Sequence, residues 1–461
     1  MIGSRRPCST LSRWLTQIKG ESFLRSAAIL AGGAASAQFV AILALPILTR
    51  LYSTEDFRLL AIYVAILSII GSVVCMRLDT AIPLPEDEGE ALRLLVLALL
   101  STLAVTLCLS IIVLIWGQTL SQALGRQEIA PYVWLLPIGT ALLGLYSAFQ
   151  YLAVRRKSFG LIARARLTQA LAGLGAQTGL GLASIAPLGL LVGHAIMSGA
   201  GVVALARRVL NSRDLRRAIG VRGELGDTLR RYKRFPKFSA LEELTNNAGI
   251  QVPILLIGVA QIGPEAGFLF IAMRVVGMPL TVIGSAVAQV YYAHAGEYLR
   301  DGRLAEETAR MVHRLSIWIV VPLVLVGPFA PSIFRVAFGP EWERGGALLV
   351  WMLPWYSLQL LVSPVSMVMY TRNLQHLLLG FAAIGFLIRV LPLGVVLYLT
   401  PENASLTYAA TSAVYYMVLL VAVLMAAQIK LSQAIRIVVL HSAVWIAVAA
   451  VSFFLLSITR L

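Results

Sequence analysis

Charge is what this sequence has least of. Only 13% of its 461 residues are Asp, Glu, Lys or Arg, where a soluble domain carries roughly a quarter, and so few charges cannot cover a water-exposed surface. Cysteine is scarcer still. Of the three present, Cys75 and Cys108 fall in apolar runs and Cys8 in a polar N-terminal segment, so no disulfide framework and no zinc site is spelled out. His194 and His313 stand alone, without a second ligand at metal spacing, and read as structural residues. No glycine-rich phosphate-cradling loop occurs, which excludes a built-in ATPase. No basic patch interleaved with aromatics occurs either, which excludes nucleic acid as the partner of a chain whose net charge is +16. Nothing in the sequence calls for a cofactor or a metal.

What the chain has in abundance is apolar length. Hydrophobic residues make up 59%, with 37 glycines and 19 prolines, both commoner in membrane helices than in soluble ones. A bilayer core takes about 20 apolar residues per helix. By that measure spans are expected near 26–49, 59–78, 92–115, 131–153, 167–184, 187–206, 239–262, 266–291, 313–335, 346–370, 376–399, 405–427 and 437–458. Only "SIAP" parts the fifth from the sixth, which predicts a tight helical hairpin. The first 25 residues are polar and basic, and the apolar run after them is span-length, unlike the core of a cleavable signal.

The loops set the orientation. With the N-terminus inside, inward segments hold about 30 Lys and Arg and outward loops about five, namely Arg50, Arg58, Arg126, Arg335 and Arg344. The richest inward loop, 207–237, carries eleven basic residues near the middle of the chain. It reads as a cytoplasmic linker between two helical bundles, 26–206 and 238–427, with 1–25 a cytoplasmic N-terminal segment and 428–461 an additional C-terminal membrane segment. A faint repeat agrees with this division. "LPILTRLYSTEDFRLLAIY" and "VPILLIGVAQIGPEAGFLFIA" each close one span and open the next, aligning Pro46 with Pro253 and Glu55 with Glu265. The expected fold is all-α, with about 12 to 13 membrane helices in two pseudo-symmetric six-helix bundles, a plan that places a transport site between the halves.

Charges inside spans are costly and mark cavities or pathways. Arg274 lies about 12 Å into the eighth span from its outer end, and Arg389 near the middle of the eleventh. Arg77 and Asp79 sit at the inner end of the second. Together the arginines offer an anion contacts at three depths. Each has a plainer reading: Arg77 and Asp79 pairing with each other at the interface, or Arg274 snorkelling outward along its stem. Arg389 is too central to snorkel. The seventh span opens with a polar stripe in which Glu243, Asn247 and Gln251 recur at four-residue spacing on one face, with Glu242 and Asn246 beside them. Such a face lines water or hydrogen-bonds another helix. For an ion-coupled carrier, Asp79, Glu242 and Glu243 are the candidate coupling groups. The sequon at Asn403 is discounted in a protein of this type.

Several stretches resemble bacterial polysaccharide flippases, the oligosaccharide-exporting branch of the superfamily that also contains multidrug and toxin extruders. They are "LPILTRLYSTEDF", "RLDTAIPLPEDEGEA", "RYKRFPKFSA", "PILLIGVAQIGPEAG", "AMRVVGMPLTVIGSAVAQVYY" and "FGPEWERGGALLVWMLPWYSLQLLVSPVSMVMY". The resemblance implies an inner-membrane protein, worked by alternating access around a central cationic cavity. It would flip an undecaprenyl-diphosphate-linked oligosaccharide from the cytoplasmic to the periplasmic leaflet, for surface polysaccharide such as O-antigen or exopolysaccharide, with a polysaccharide polymerase as a possible partner. Arg274 falls on the arginine of the family's A-x-R-V stretch, and Arg77 and Asp79 on its R-L-D. Arg58 stands where a glycine usually follows E-D-F, and Leu269 where tyrosine is common; both bear on local turn geometry. The residues fit such a cargo physically. Arginine matches phosphate oxygens bidentately, each contact counts for more in a low-dielectric cavity, and the basic inner face would gather anionic lipids at about 1 kcal/mol per Lys or Arg.

Two other functions compete. A cation-coupled small-molecule antiporter of the same superfamily would be expected to hold a carboxylate in the core of the first bundle, but the first span is acid-free, with Gln38 its strongly polar core residue. A membrane polysaccharide polymerase or ligase would need a large outward loop with catalytic groups, and the outward loops are short.

Overall fold

The computed structural model describes residues 32–33, 35–123, 127–209, 222–260, 262–372, 374 and 376–459. The N-terminal segment 1–25, Arg126 and the centre of the basic linker, 210–221, lie outside the described residues. Among those described there is no strand. The helices are α1 (Ala35–Leu51), α2 (Thr54–Gly71), α3 (Leu78–Ala81), α4 (Glu88–Ala123), α5 (Leu135–Arg155), α6 (Phe159–Leu182), α7 (Leu188–Gly199), α8 (Val202–Val209) and α9 (Arg222–Arg231). There follow α10 (Ala240–Val259), α11 (Glu265–Arg300), α12 (Leu304–Leu315), α13 (Val321–Val326), α14 (Ala330–Phe338), α15 (Glu343–Val365), α16 (Met367–Thr371), α17 (His376–Leu399), α18 (Ala404–Ala426) and α19 (Leu431–Thr459).

Among the described residues nine helical stretches are long and apolar enough to cross a membrane. The remaining four expected spans are helical in their described residues. The first begins outside those residues and is described as α1 from Ala35, α6 carries Arg164 and Arg166, α2 carries Glu55, Asp56 and Arg58, and α10 carries Glu242, Glu243 and two asparagines. α2 and α10 face each other across the middle of the molecule, so part of each is turned away from lipid. Other boundaries shift for local reasons. The second span stops at Gly71, and the chain reverses through Met76 and Arg77, both with positive φ, before α3. The sixth is split at Gly201, whose φ of 97° a side chain would resist. The ninth is broken by a π-type turn at Ser316–Val320 and a 3₁₀ turn at Gly327–Phe329, where Pro322 and Pro328 cannot donate to the helix ladder.

One bundle is built from α4 on α5, α6 on α7, and α5 on α7 and α8; the other from α11 on α15, α15 on α18, and α17 on α10 and α18. Part of the basic linker is a docked helix: α9 lies against α4, with Arg231 paired to Glu90 at 2.7 Å and Arg93 Nε donating to Thr228 at 3.2 Å. α19 packs on α13 and α18, tied by the Trp445 indole N–H donating to Ser316 at 3.0 Å.

The bundles meet where α2 packs on α10 and α11. At the end that the loop charges assign to the outside, this contact is dry. Ser53 caps α2 in a reciprocal box with Asp56. Phe57 sits edge-on to the fully buried Trp342 at 5.0 Å, and Phe268 meets the same indole at 5.7 Å. Arg58, expected in an outward loop, is instead 1% exposed in this seam, ion-paired with Glu55 and donating to the Gly258 carbonyl at 3.4 Å. The acidic turn before it pointed to a loop, but the helix begins at Thr54 and carries Arg58 inward. Glu265 gathers α15 and α18 at the same end, accepting from Arg344 and Ser405 at 2.9 Å each. A Cβ on Gly267 would lie 2.7 Å from the Thr54 carbonyl oxygen and 2.9 Å from the Arg58 nitrogen, so the two backbones approach only because this residue is glycine. Gly267→Val is therefore expected to destabilise the protein by about 1–3 kcal/mol, read as a lowered thermal midpoint in detergent. Gly380→Ala, with nothing within 4 Å of the added carbon, should leave the midpoint unchanged or raise it slightly.

Candidate functional site

Below that seal, towards the end that the loop charges assign to the inside, α2 and α10 border two open cavities. The lower one has a volume of about 430 Å³ and is lined mainly by polar groups, among them Ser68, Ser72, Arg77, Asp79, Gln150, Glu243 and Asn247. The upper, of about 270 Å³, is walled by Gln251, Phe270, Arg274, Trp355, Tyr356, Gln359 and Tyr416. Both draw on the two bundles. α2 supplies Ser68 and Ser72 below and Ala61 and Val64 above, and α10 supplies Glu243 and Asn247 below and Gln251 above. One helical turn of α10, about 6 Å of rise, thus carries the polar stripe from one cavity into the next. The two cavities lie in succession along a single seam.

Arg77 does not pair with Asp79. The left-handed turn at Met76 and Arg77 sends the arginine across the seam, where Nη2 lies 3.9 Å from Glu243 Oε2 of α10, while Asp79 accepts from Ser147 of α5 at 2.5 Å. Asp79 is 5% exposed, and its other carboxylate oxygen has no hydrogen-bond partner. Asn247 makes a second crossing contact, its amide donating to the Ser68 carbonyl at 2.6 Å. Glu242, beside Glu243, does not line the cavity.

Arg274 lines the upper cavity half-buried, with its guanidinium 4.6 Å above the ring of Phe270, one turn back on α11. A cation on an aromatic face keeps its in-plane N–H groups available for oxygen acceptors.

Arg389 is placed differently from the expectation of a pathway residue. It is 2% exposed, donates from Nε to Ser412 at 3.2 Å, and lies over Tyr415 at 4.2 Å and Tyr416 at 5.4 Å. It lines neither cavity, because α17 packs between α10 and α18 and presents this residue to their interior. Tyr416 forms part of the upper cavity's wall, so Arg389 stands one layer behind it. His194 is buried in α7, edge-on to Tyr63 at 5.9 Å, and His313 packs edge-on to His441 at 5.6 Å.

Of the upper chamber's wall, Gln251 and Arg274 were read in the sequence, but Trp355, Tyr356, Gln359 and Tyr416 were not. Gln359 had a visible signal, an amide inside the apolar run "WYSLQLLV"; its buried Oε1 has no hydrogen-bond partner. Trp355, Tyr356 and Tyr416 cannot be told from core aromatics by composition. Ser147 and Gln150 of α5 were likewise passed over.

Arg389 and Arg274 should separate in stability. Arg389→Lys loses the Ser412 bond and the fit over two rings, and is expected to cost about 1–2 kcal/mol. Arg274→Gln, at a half-buried lining position, should leave the thermal midpoint nearly unchanged. Equal shifts in a thermal-melt comparison would contradict these placements.

A family model described as polysaccharide biosynthesis protein matches residues 47–345. Among solved structures, the lipid II flippase MurJ in an inward closed conformation is similar with a TM-score of 0.68 at 11% identity, covering 93% of this chain and 97% of that one. A MOP superfamily transporter from Pyrococcus furiosus gives 0.59 at 14% identity, over 89% and 95%. A multidrug resistance MATE family transporter of the MOP superfamily, inward-facing, gives 0.57 at 14% identity, over 88% and 95%. At these identities the likeness is one of fold. No curated protein matches the chain.

Proposed function

The chain belongs to the polysaccharide biosynthesis protein family, and from that premise we propose that it is a flippase that carries an undecaprenyl-diphosphate-linked oligosaccharide from the cytoplasmic to the periplasmic leaflet of a bacterial inner membrane. The observation that carries this reading is the succession of two cavities on the α2–α10 seam, with Arg77 in the lower and Arg274 in the upper; we read the pair as one track. A diphosphate brings two or more negative charges, and guanidinium groups at two levels hand it from one to the next without leaving either charge unsolvated in hydrocarbon. The amides and aromatic rings of the upper chamber suit the hydroxyls and apolar faces of a sugar. The polyprenyl tail has no need to enter, since it stays in lipid beside the protein.

Alternating access follows from the unequal ends of the seam. The outer end is closed by buried aromatics and close backbone contact. Lower down, the Arg77–Glu243 pair is long and exposed on both sides (32% and 39%), the kind of contact worth at most about 1 kcal/mol. The molecule in this state loads from the inner side, and rocking of the bundles about α2 exposes the track outward. Asp79, buried in the lower cavity with one unsatisfied oxygen, is the best placed of the candidate coupling groups; Glu242 is the least. Anionic lipids on the basic inner face and a polymerase receiving the flipped unit belong to the same reading.

Arg274→Ala and Arg77→Ala are each expected to abolish surface polysaccharide in a flippase-deficient host, at wild-type amounts of protein in the membrane. Normal polymer in both strains would contradict the anionic track. Arg389→Ala should lower polymer only in step with lost protein.

A further inference from the structure

Arg77 is neutralised but poorly satisfied. Its backbone and that of Met76 are left-handed, at φ 58° and 49°, a conformation that costs an L residue about 1–2 kcal/mol. The turn delivers the guanidinium across the seam to one carboxylate oxygen at 3.9 Å. Its Nε is buried with no hydrogen-bond partner. A well-made arginine–carboxylate pair is bidentate and closer than 3 Å; this one is neither. Around it lies the lower cavity, with the hydroxyls of Ser68 and Ser72 and the Asn247 side chain on its walls.

We infer that Glu243 is a built-in stand-in for the phosphate of the cargo: it holds Arg77 while the track is empty, yields it to the incoming diphosphate, and takes it back once the diphosphate has moved to Arg274. This rests on the flippase reading. A phosphate oxygen set close to two N–H donors outcompetes a carboxylate held at 3.9 Å. Glu243 is 39% exposed, so it can turn to water when displaced and loses little solvation. Asp79 cannot take the role, since it is buried and bonded to Ser147 of its own bundle. Glu243 belongs to α10 and Arg77 to the segment after α2, so re-pairing also links the two bundles behind the cargo. Removing the carboxylate's charge therefore strengthens diphosphate binding and removes that link.

The test uses the full chain in nanodiscs of zwitterionic lipid, with farnesyl diphosphate as the titrant and farnesol as the control, followed by calorimetry at fixed ionic strength. Glu243→Gln is expected to bind farnesyl diphosphate about two- to fivefold more tightly than wild type, the worth of an exposed ion pair. Glu243→Asp, which keeps the charge, should bind like wild type. Arg77→Gln should bind several-fold more weakly, and adding Glu243→Gln to it should bring no gain. Unchanged or weaker binding by Glu243→Gln, a gain in Glu243→Asp, or a Glu243→Gln gain that persists without Arg77 would each overturn the exchange while leaving the flippase reading in place. Farnesol bound by wild type as tightly as the diphosphate would overturn that reading and the exchange with it.

Discussion

A guanidinium inside a bilayer must be given partners or water, and the way four interior arginines meet that demand organises this molecule. Arg58 receives a carboxylate and a carbonyl in a dry seam. Arg389 receives a serine hydroxyl and two tyrosine faces. Arg274 has one phenyl ring and a cavity, and Arg77 one distant carboxylate and a cavity. The first two are enclosed and tie helices together. Arg389 Nη2 lacks a hydrogen-bond partner, as Arg77 Nε does, so what sets the last two apart is that they line cavities where the bundles face each other.

That division runs along α2. Its outer half packs on α10 and α11 with aromatic edges and glycine-permitted backbone contact, and its inner half lines the lower cavity with Ser68, followed by Ser72 at its C-cap. The charges of α2 lie at its dry outer end, where Glu55 and Arg58 pair, and its polar contacts with the cavity lie at the other. This change from dry to polar gives the seam a firm end and a loose end, which is the mechanical asymmetry a rocking carrier requires.

Much of this was legible in the sequence. Span length and loop charge outlined the helices, and the four-residue recurrence of Glu243, Asn247 and Gln251 reported one face of α10, the face that lines both cavities. Other features were out of reach for physical reasons. Depth along a helix follows from counting residues, but the face a single residue presents does not, so Arg389 was expected in the pathway and lies one layer behind the upper cavity's wall. Arg58 follows an acidic turn and resembles a loop charge until the helix start is known. The reversal at Met76 and Arg77 uses no glycine or proline, so nothing in "VVCMRLD" announces it. Trp355 and Tyr416 line a chamber with side chains that serve equally well in a core.

The central claim is that this seam moves a diphosphate-linked sugar from one leaflet to the other. Its most direct measurement is lectin accessibility of a fluorescent polyprenyl-diphosphate oligosaccharide placed in the inner leaflet of vesicles containing the purified protein. The account predicts that the sugar appears at the outer surface over time in vesicles with protein and stays hidden in protein-free ones. Equal, slow appearance in both would contradict it.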